Sequence, residues 1–169
     1  MFKKIPKNVK KMFKVMMFFA LSSFIIINLF FRVSRDNSLP YTFWFKMPQN
    51  KEVYEIGDYL SFNLGYRDKF LGTRNLVKEI KCIPGQKLQR IDKDFYCDNI
   101  KLNAHVLDKT YYGADLPTWE YNGIIPENYY FMLGTNPRSY DSRYFGLINK
   151  DKFINYLYPV RKLIKEDIF

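Results

Sequence analysis

Histidine is almost missing from this chain: His105 is the only one in 169 residues. A Ser-His-Asp triad would have to run through it, in "LNAHVLDK", where a lone histidine is more often a surface or turn residue. Cysteine is nearly as scarce, with only Cys82 and Cys97. Two scattered cysteines and one histidine, without a close-spaced pair, make a weak zinc set, so neither a metal nor a cofactor is expected. Internal repeats and long low-complexity linkers are absent too, and the length suits one domain with a small appendage. Acidic residues are missing among Lys3, Lys4, Lys7, Lys10, Lys11 and Lys14. Removing those six charges from the net +10 leaves +4 for the rest, so the basicity is largely local. A nucleic-acid-binding domain would want a basic face on its folded part, and no such partner is expected. The abundant Tyr and Phe come with abundant Lys, Asn and Ile, which looks like A·T-rich coding rather than a set of base-stacking platforms.

What the chain does have is an uncharged run, "VMMFFALSSFIIINLFF", from Val15 to Phe31. Its length is at the lower end for a bilayer-spanning helix. A cleaved secretory signal has the same basic and apolar order. However, the run is long, and the bulky "NLFFRVSRDN" after it offers no small-x-small cleavage site. An uncleaved anchor is therefore expected. Six lysines precede the span, while only Arg32 and Arg35 closely follow it. The positive-inside rule then keeps residues 1–14 in the cytoplasm as a basic tail, makes 15–31 the transmembrane anchor and exports 32–169. That places a single-pass protein in a bacterial inner membrane, with its folded domain on the periplasmic side and the lipid bilayer as a partner. The exported side permits disulfides, and a Cys82–Cys97 bridge would be worth roughly 3 kcal/mol. Free thiols remain the alternative.

The exported part reads as strands. "KEVYEIGDYLSFNL" alternates around a Gly-Asp turn, and "LVKEIKCIPG" alternates until Pro-Gly. "LQRIDKDFYCDNIKLN" gives two short strands about an Asp-Asn turn, and "NYYFMLGTN" is a buried-looking run. Short strands with regular turns predict a mainly β, barrel-like domain. The last stretch, "KDKFINYLYPVRKLIKEDIF", could hold a strand and then a short basic helix.

With histidine excluded, a serine can still be activated by a neutral lysine, because burial disfavours the charged amine. In "LVKEIKC", period-two alternation puts Leu76, Lys78, Ile80 and Cys82 on one face and Val77, Glu79, Lys81 and Ile83 on the other. Lys78 thus has apolar neighbours. On periodicity alone, a lysine snorkelling from an edge strand is the better reading. A second polar stretch, "GTNPRSYDSRYFG" at 134–146, is too polar for a core strand, and its Asp two residues before an Arg suggests a stiffening ion pair.

Four segments together resemble the type I signal peptidases, closest to their TraF-type conjugative-transfer branch. "SLPYTFW" is similar to the nucleophile box, "IGDYLSF" to the Gly-Asp box, and "KEIKCIPGQ" to the lysine box. Lys78 stands six residues before Pro84, as the family's base does; Lys81 does not. "NPRSYDSRYFG" resembles the last box in its Asn-Pro form. The boxes follow in family order behind a membrane anchor and cover nearly the whole exported part.

The resemblance implies a signal-peptidase-like β domain and a serine endopeptidase with a Ser/Lys dyad. Ser38 would be the nucleophile and also give its backbone N–H to the oxyanion. Lys78 would be the general base, and Ser139 would orient its amine. Asp141, Ser142 and Arg143 would form the support behind the site. Substrates would be exported precursors with signal or leader peptides, pilins or other conjugative-transfer proteins among them, with small residues before the cut. The alternatives are a housekeeping signal peptidase and a non-catalytic pilus-assembly protein on the same fold. Ser38 lies seven residues beyond Phe31, which at ~3.5 Å per residue keeps it within about 25 Å of the membrane edge. Two positions depart from the family's pattern, and a third from its housekeeping form. Thr42 replaces the glycine of the nucleophile box, and Thr135 stands where housekeeping enzymes have Asp. Asp36 occupies a position where relatives often have a hydroxyl, and a carboxylate cannot donate to an oxyanion.

Overall fold

The computed structural model describes residues 6–34, 37–70 and 72–160. Helix α1 (Lys7–Phe30) begins after Pro6, a residue preset for a helix start, and buries none of its side chains within the protein. It is long and apolar enough to cross a membrane. Polar side chains within it bond back to their own helix: Ser22 Oγ to the Phe18 carbonyl at 2.9 Å, and Asn28 Nδ2 to the Phe24 carbonyl at 2.7 Å. That leaves these polar groups satisfied without water, as a bilayer requires. At Phe31 the backbone turns extended and enters a strand without a linker.

The strands are β1 (Phe31–Val33), β2 (Phe43–Pro48), β3 (Tyr59–Asn63), β4 (Asn75–Cys82), β5 (Lys87–Ile91), β6 (Asp94–Cys97), β7 (Ile100–Lys101), β8 (Asn122–Ile124), β9 (Tyr129–Leu133), β10 (Ile148–Asn149) and β11 (Phe153–Pro159); a one-turn helix, α2 (Ser142–Phe145), lies between β9 and β10. They form a seven-stranded sheet in the order β1-β2-β11-β3-β4-β9-β10 and a four-stranded sheet in the order β7-β6-β5-β8. Every pairing is antiparallel. The mainly β expectation holds.

Local chemistry explains several elements. The loop of "CDNI" is a two-residue turn with Asp98 and Asn99 at φ +48° and +67°, the left-handed pair that a type I′ hairpin needs. A further hairpin turn starts at Asp92, φ +53°, so "LQRIDKDFYCDNIKLN" holds three strands rather than two. "KEVYEIGDYLSFNL" is strand only after its Gly-Asp. Before it, the chain folds around Asp58, whose carboxylate accepts from the Glu55 N–H at 3.0 Å, Lys51 Nζ at 3.2 Å and Tyr156 Oη at 2.9 Å. These bonds replace ladder pairing, and alternation alone did not foresee them. The strand in the last stretch is β11; the basic helix expected after it falls outside the described residues.

The larger sheet carries core on both faces. Leu60, Phe62, Leu76, Ile80 and Met132 pack on one, and Tyr59, Val77, Trp44, Leu39 and Leu157 on the other. A third cluster, with Phe95, Leu88, Phe131 and Leu133, joins the two sheets. The Cys82–Cys97 disulfide, Cα–Cα 5.9 Å, links β4 of one sheet to β6 of the other.

Candidate active site

Lys78 lies in the middle of β4, paired with Leu60 of β3, and is 2% exposed. Leu76 and Ile80, its neighbours on the same face, belong to the main core. The alternation that placed Cys82 with them fails. The β4–β9 register shifts between Ile80 and Cys82, so Ile80 pairs with Met132 and Cys82 with Phe131. An extra residue at Lys81 flips the following side chain, and Cys82 joins Phe131 in the inter-sheet cluster. Glu79 and Lys81 do meet, at 2.5 Å.

Lys78 Nζ donates to Ser139 Oγ at 2.9 Å, a bond buried from solvent. Both residues line a cavity of about 180 Å³ together with Ser38, Asn136 and Tyr140. The structure thus brings Ser38, Lys78 and Ser139 together from three distant parts of the chain. Ser38 sits on the loop between β1 and β2. That loop is closed at its base by the Ser34 N–H to Thr42 carbonyl bond, 2.9 Å, and by Trp44 Nε1 donating to Ser34 Oγ, 2.9 Å. Next to Ser38, Leu39 is buried in the core with Trp44 and Val77 and pins the loop down. Thr42 is exposed, and its φ is not among the left-handed ones, so this backbone makes no demand for glycine there. Asp36 lies outside the described residues.

The loop after β9 holds the other side. The Asn136 N–H and Thr135 Oγ1 donate to the Ser38 carbonyl at 3.2 and 3.4 Å, and Asn136 Nδ2 donates to the Asn37 carbonyl at 3.1 Å. Asn136 also accepts from the Ser139 N–H through its carbonyl, 2.9 Å. Gly134 makes the approach possible. A Cβ there would stand 2.2 Å from Ser139 Oγ and 2.7 Å from the Ser38 carbonyl oxygen. In the sequence this glycine reads only as turn punctuation at the head of the polar stretch; the close approach of the two loops is not legible there.

Behind Ser139, Asp141 and Arg143 are fully buried and paired in bidentate fashion, Nε–Oδ1 2.7 Å and Nη2–Oδ2 2.8 Å. The remaining guanidinium hydrogens go to the carbonyls of His105, Pro137, Ser139 and Asn136 at 2.8–3.3 Å. Burial works against the arginine's charge, but bonding to Asp141 outweighs it and raises the pKa above its ordinary value. Arg143 is therefore more than half of an ion pair: it gathers the carbonyls of the loop that presents Ser139. Asp141 Oδ2 also accepts from the Gly134 N–H at 2.9 Å, and Ser142 Oγ from the Met132 N–H at 3.0 Å. His105 is exposed, with Nδ1 3.0 Å from Asp94 Oδ1. It serves the site only through its backbone carbonyl.

Tyr140, the next residue after Ser139, stacks on Tyr144 with centroids 5.2 Å apart. Burial, and then the field and hydrogen bond of Asp68, push its phenol pKa up, so it stays neutral beside the lysine.

A sequence model of the family described as signal peptidase, peptidase S26, matches residues 7–158. The chain is 32% identical over 80 residues to the probable signal peptidase I-2 of Synechocystis sp.; the match takes in 46% of this chain and 34% of that protein, about a third of the relative's length. A solved signal peptidase I from Enterococcus faecalis aligns with a TM-score of 0.41 and 22% identity, covering 63% of this chain and 98% of the other.

Proposed function

We propose, from the premise that this chain belongs to the signal peptidase family, peptidase S26, that it is a membrane-anchored serine endopeptidase with a Ser38/Lys78 dyad that removes signal or leader segments from exported precursors. The observation that carries the reading is the buried Lys78–Ser139 bond in the cavity that Ser38 also lines. Burial disfavours a charged amine, which suits a proton acceptor, and Ser139 fixes where that amine points.

In the proposed reaction, Lys78 takes the Ser38 hydroxyl proton as Oγ attacks the scissile carbonyl. The tetrahedral oxyanion is met by the Ser38 backbone N–H. The C–N bond breaks, Lys78 returns the proton to the leaving amine, and an acyl-enzyme remains. Lys78 then takes a proton from water as it attacks the ester, and returns that proton to Ser38 Oγ as the C–O bond breaks. No step calls on a metal or cofactor.

The exposed apolar face of α1 supports the anchor. So does the continuous patch beside it: Phe31 and Val33 pair with Phe45 and Phe43, and Phe30 stacks on Phe45. We assign the inner membrane of a bacterium, with the tail inside and the site on the periplasmic side, from the lysine asymmetry.

Among precursors, we favour conjugative-transfer proteins such as pilins. The support is the Asn136-Pro137 form of the last box, which resembles that of the TraF-type branch.

The test is precursor processing in membranes that carry the wild-type chain, Ser38→Ala, Lys78→Ala or the double variant. Each single change should lower the rate about 10³-fold or more, and the double change should be no worse, because the two groups act as one unit. Substantial activity in either single variant would sink the dyad. Unaltered pilus assembly by Ser38→Ala would favour a binding protein. Processing of a secretory precursor in preference to a pilin precursor would favour the housekeeping role.

A further inference from the structure

The cavity at Ser38 is not the largest hollow nearby. A groove of about 380 Å³ lies next to it, and Arg138 and Tyr140 belong to the walls of both. Tyr140 stands between them as a partition. On the far side the wall is built from Phe70, Tyr144 and the segment 107–116, whose Tyr111 and Tyr112 are 81% and 93% exposed. The groove's charge is one-sided. Lys69, Lys109 and Arg138 line it, and no carboxylate does so among the described residues.

The nearby acids are already engaged. Asp115 faces Lys109 across 3.7 Å at the exposed margin, and Asp108 pairs with Lys93 at 2.5 Å. Asp68 is buried beneath Tyr140. Lys69 lies over the Phe70 ring at 4.8 Å and Arg138 over Tyr111 at 5.8 Å, so both cations are held at the aromatic wall. A neutral apolar peptide would make no use of Lys69 and Arg138, which pair with no carboxylate among the described residues. An acidic one would meet them along the direction in which the cavity continues.

We infer that this groove is a second recognition site of the peptidase, which binds a part of the precursor away from the scissile bond and selects for acidic side chains there. The inference rests on the peptidase reading for its ligand, a polypeptide that passes through the Ser38 cavity. Arg138 and Lys69 are its specificity-determining residues. Tyr140 divides the segment at the scissile bond from the segment being read.

The test separates binding from cleavage. The full-length chain carrying Ser38→Ala is held in neutral detergent micelles and titrated by calorimetry with two unlabelled peptides. Both contain an Ala-x-Ala segment; one carries a glutamate pair downstream of it where the other carries a glutamine pair. The glutamate peptide should bind about fivefold more tightly at low salt, as expected of two partly exposed ion pairs, and the gap should narrow as salt rises. Adding Lys69→Gln and Arg138→Gln should abolish the gap, and Lys69→Glu with Arg138→Glu should invert it. Equal affinities, or a preference that survives both sets of changes, would overturn the inference. Cleavage by the chain with Ser38 intact is measured separately. If neither peptide is cut, the peptidase reading is in trouble, while the binding ratio still decides the groove.

Discussion

Gly134 is the residue on which the site is most narrowly balanced. Its missing side chain lets the Ser139 hydroxyl and the Ser38 carbonyl occupy the same small space. Gly134→Ala should push the two loops apart at a cost of about 1–3 kcal/mol, typical of an overpacked core. Activity should fall further, about 10²-fold, because displacement by an ångström is enough to lose the reacting geometry. Unfolding in denaturant beside a processing assay checks this: equal losses in both would mean the glycine serves only the fold. Arg143→Lys is a sharper change than it looks. A lysine cannot make the fork to Asp141 and still reach the loop carbonyls. Leaving Asp141 poorly paired at full burial should cost about 3–5 kcal/mol, seen as a lowered midpoint in urea.

At the scale of elements, β4 does two jobs at its two ends. Its middle presents Lys78 to the cavity, and after the bulge its last residue is tied by disulfide to β6. Replacing both cysteines by serine should lower stability by about 3 kcal/mol while leaving the Lys78–Ser139 bond in place. The check is a urea titration of the double variant against the oxidised wild type, with processing as the second readout. The same strand shows what the sequence could and could not tell. Leu76, Lys78 and Ile80 were legible as one face because period two is local and needs no partner. Cys82 was not, because the bulge that turns it arises from pairing with β9, a strand about fifty residues away. Ser38 and Ser139 stood out as site residues only through their boxes, whereas Lys78 was also marked by its apolar strand face. Nothing in their local chemistry says that the β1–β2 loop and the loop after β9 would meet. The convergence of Arg143 on four carbonyls was hidden for the same reason, since carbonyls carry no residue signature.

For the whole molecule, the anchor and the site are one construction. The α1 helix passes into β1 at Phe31, and β1 is hydrogen-bonded to β2, so the sheet begins where the helix stops. The chain should stay with the membrane in alkaline carbonate and leave it only with detergent, and removal of residues 7–30 should release it. Release of the intact chain by carbonate would contradict the anchor. The joint at Phe31 has a further consequence. No linker residue separates helix and sheet there, so on the proposed reading the peptidase domain would be held close to the bilayer. The height of Ser38 above the lipid would then act as a ruler built into the backbone. A precursor would be measured against it by depth as well as by sequence. One with a correct cleavage motif placed too far along its chain would be read as uncut mature protein.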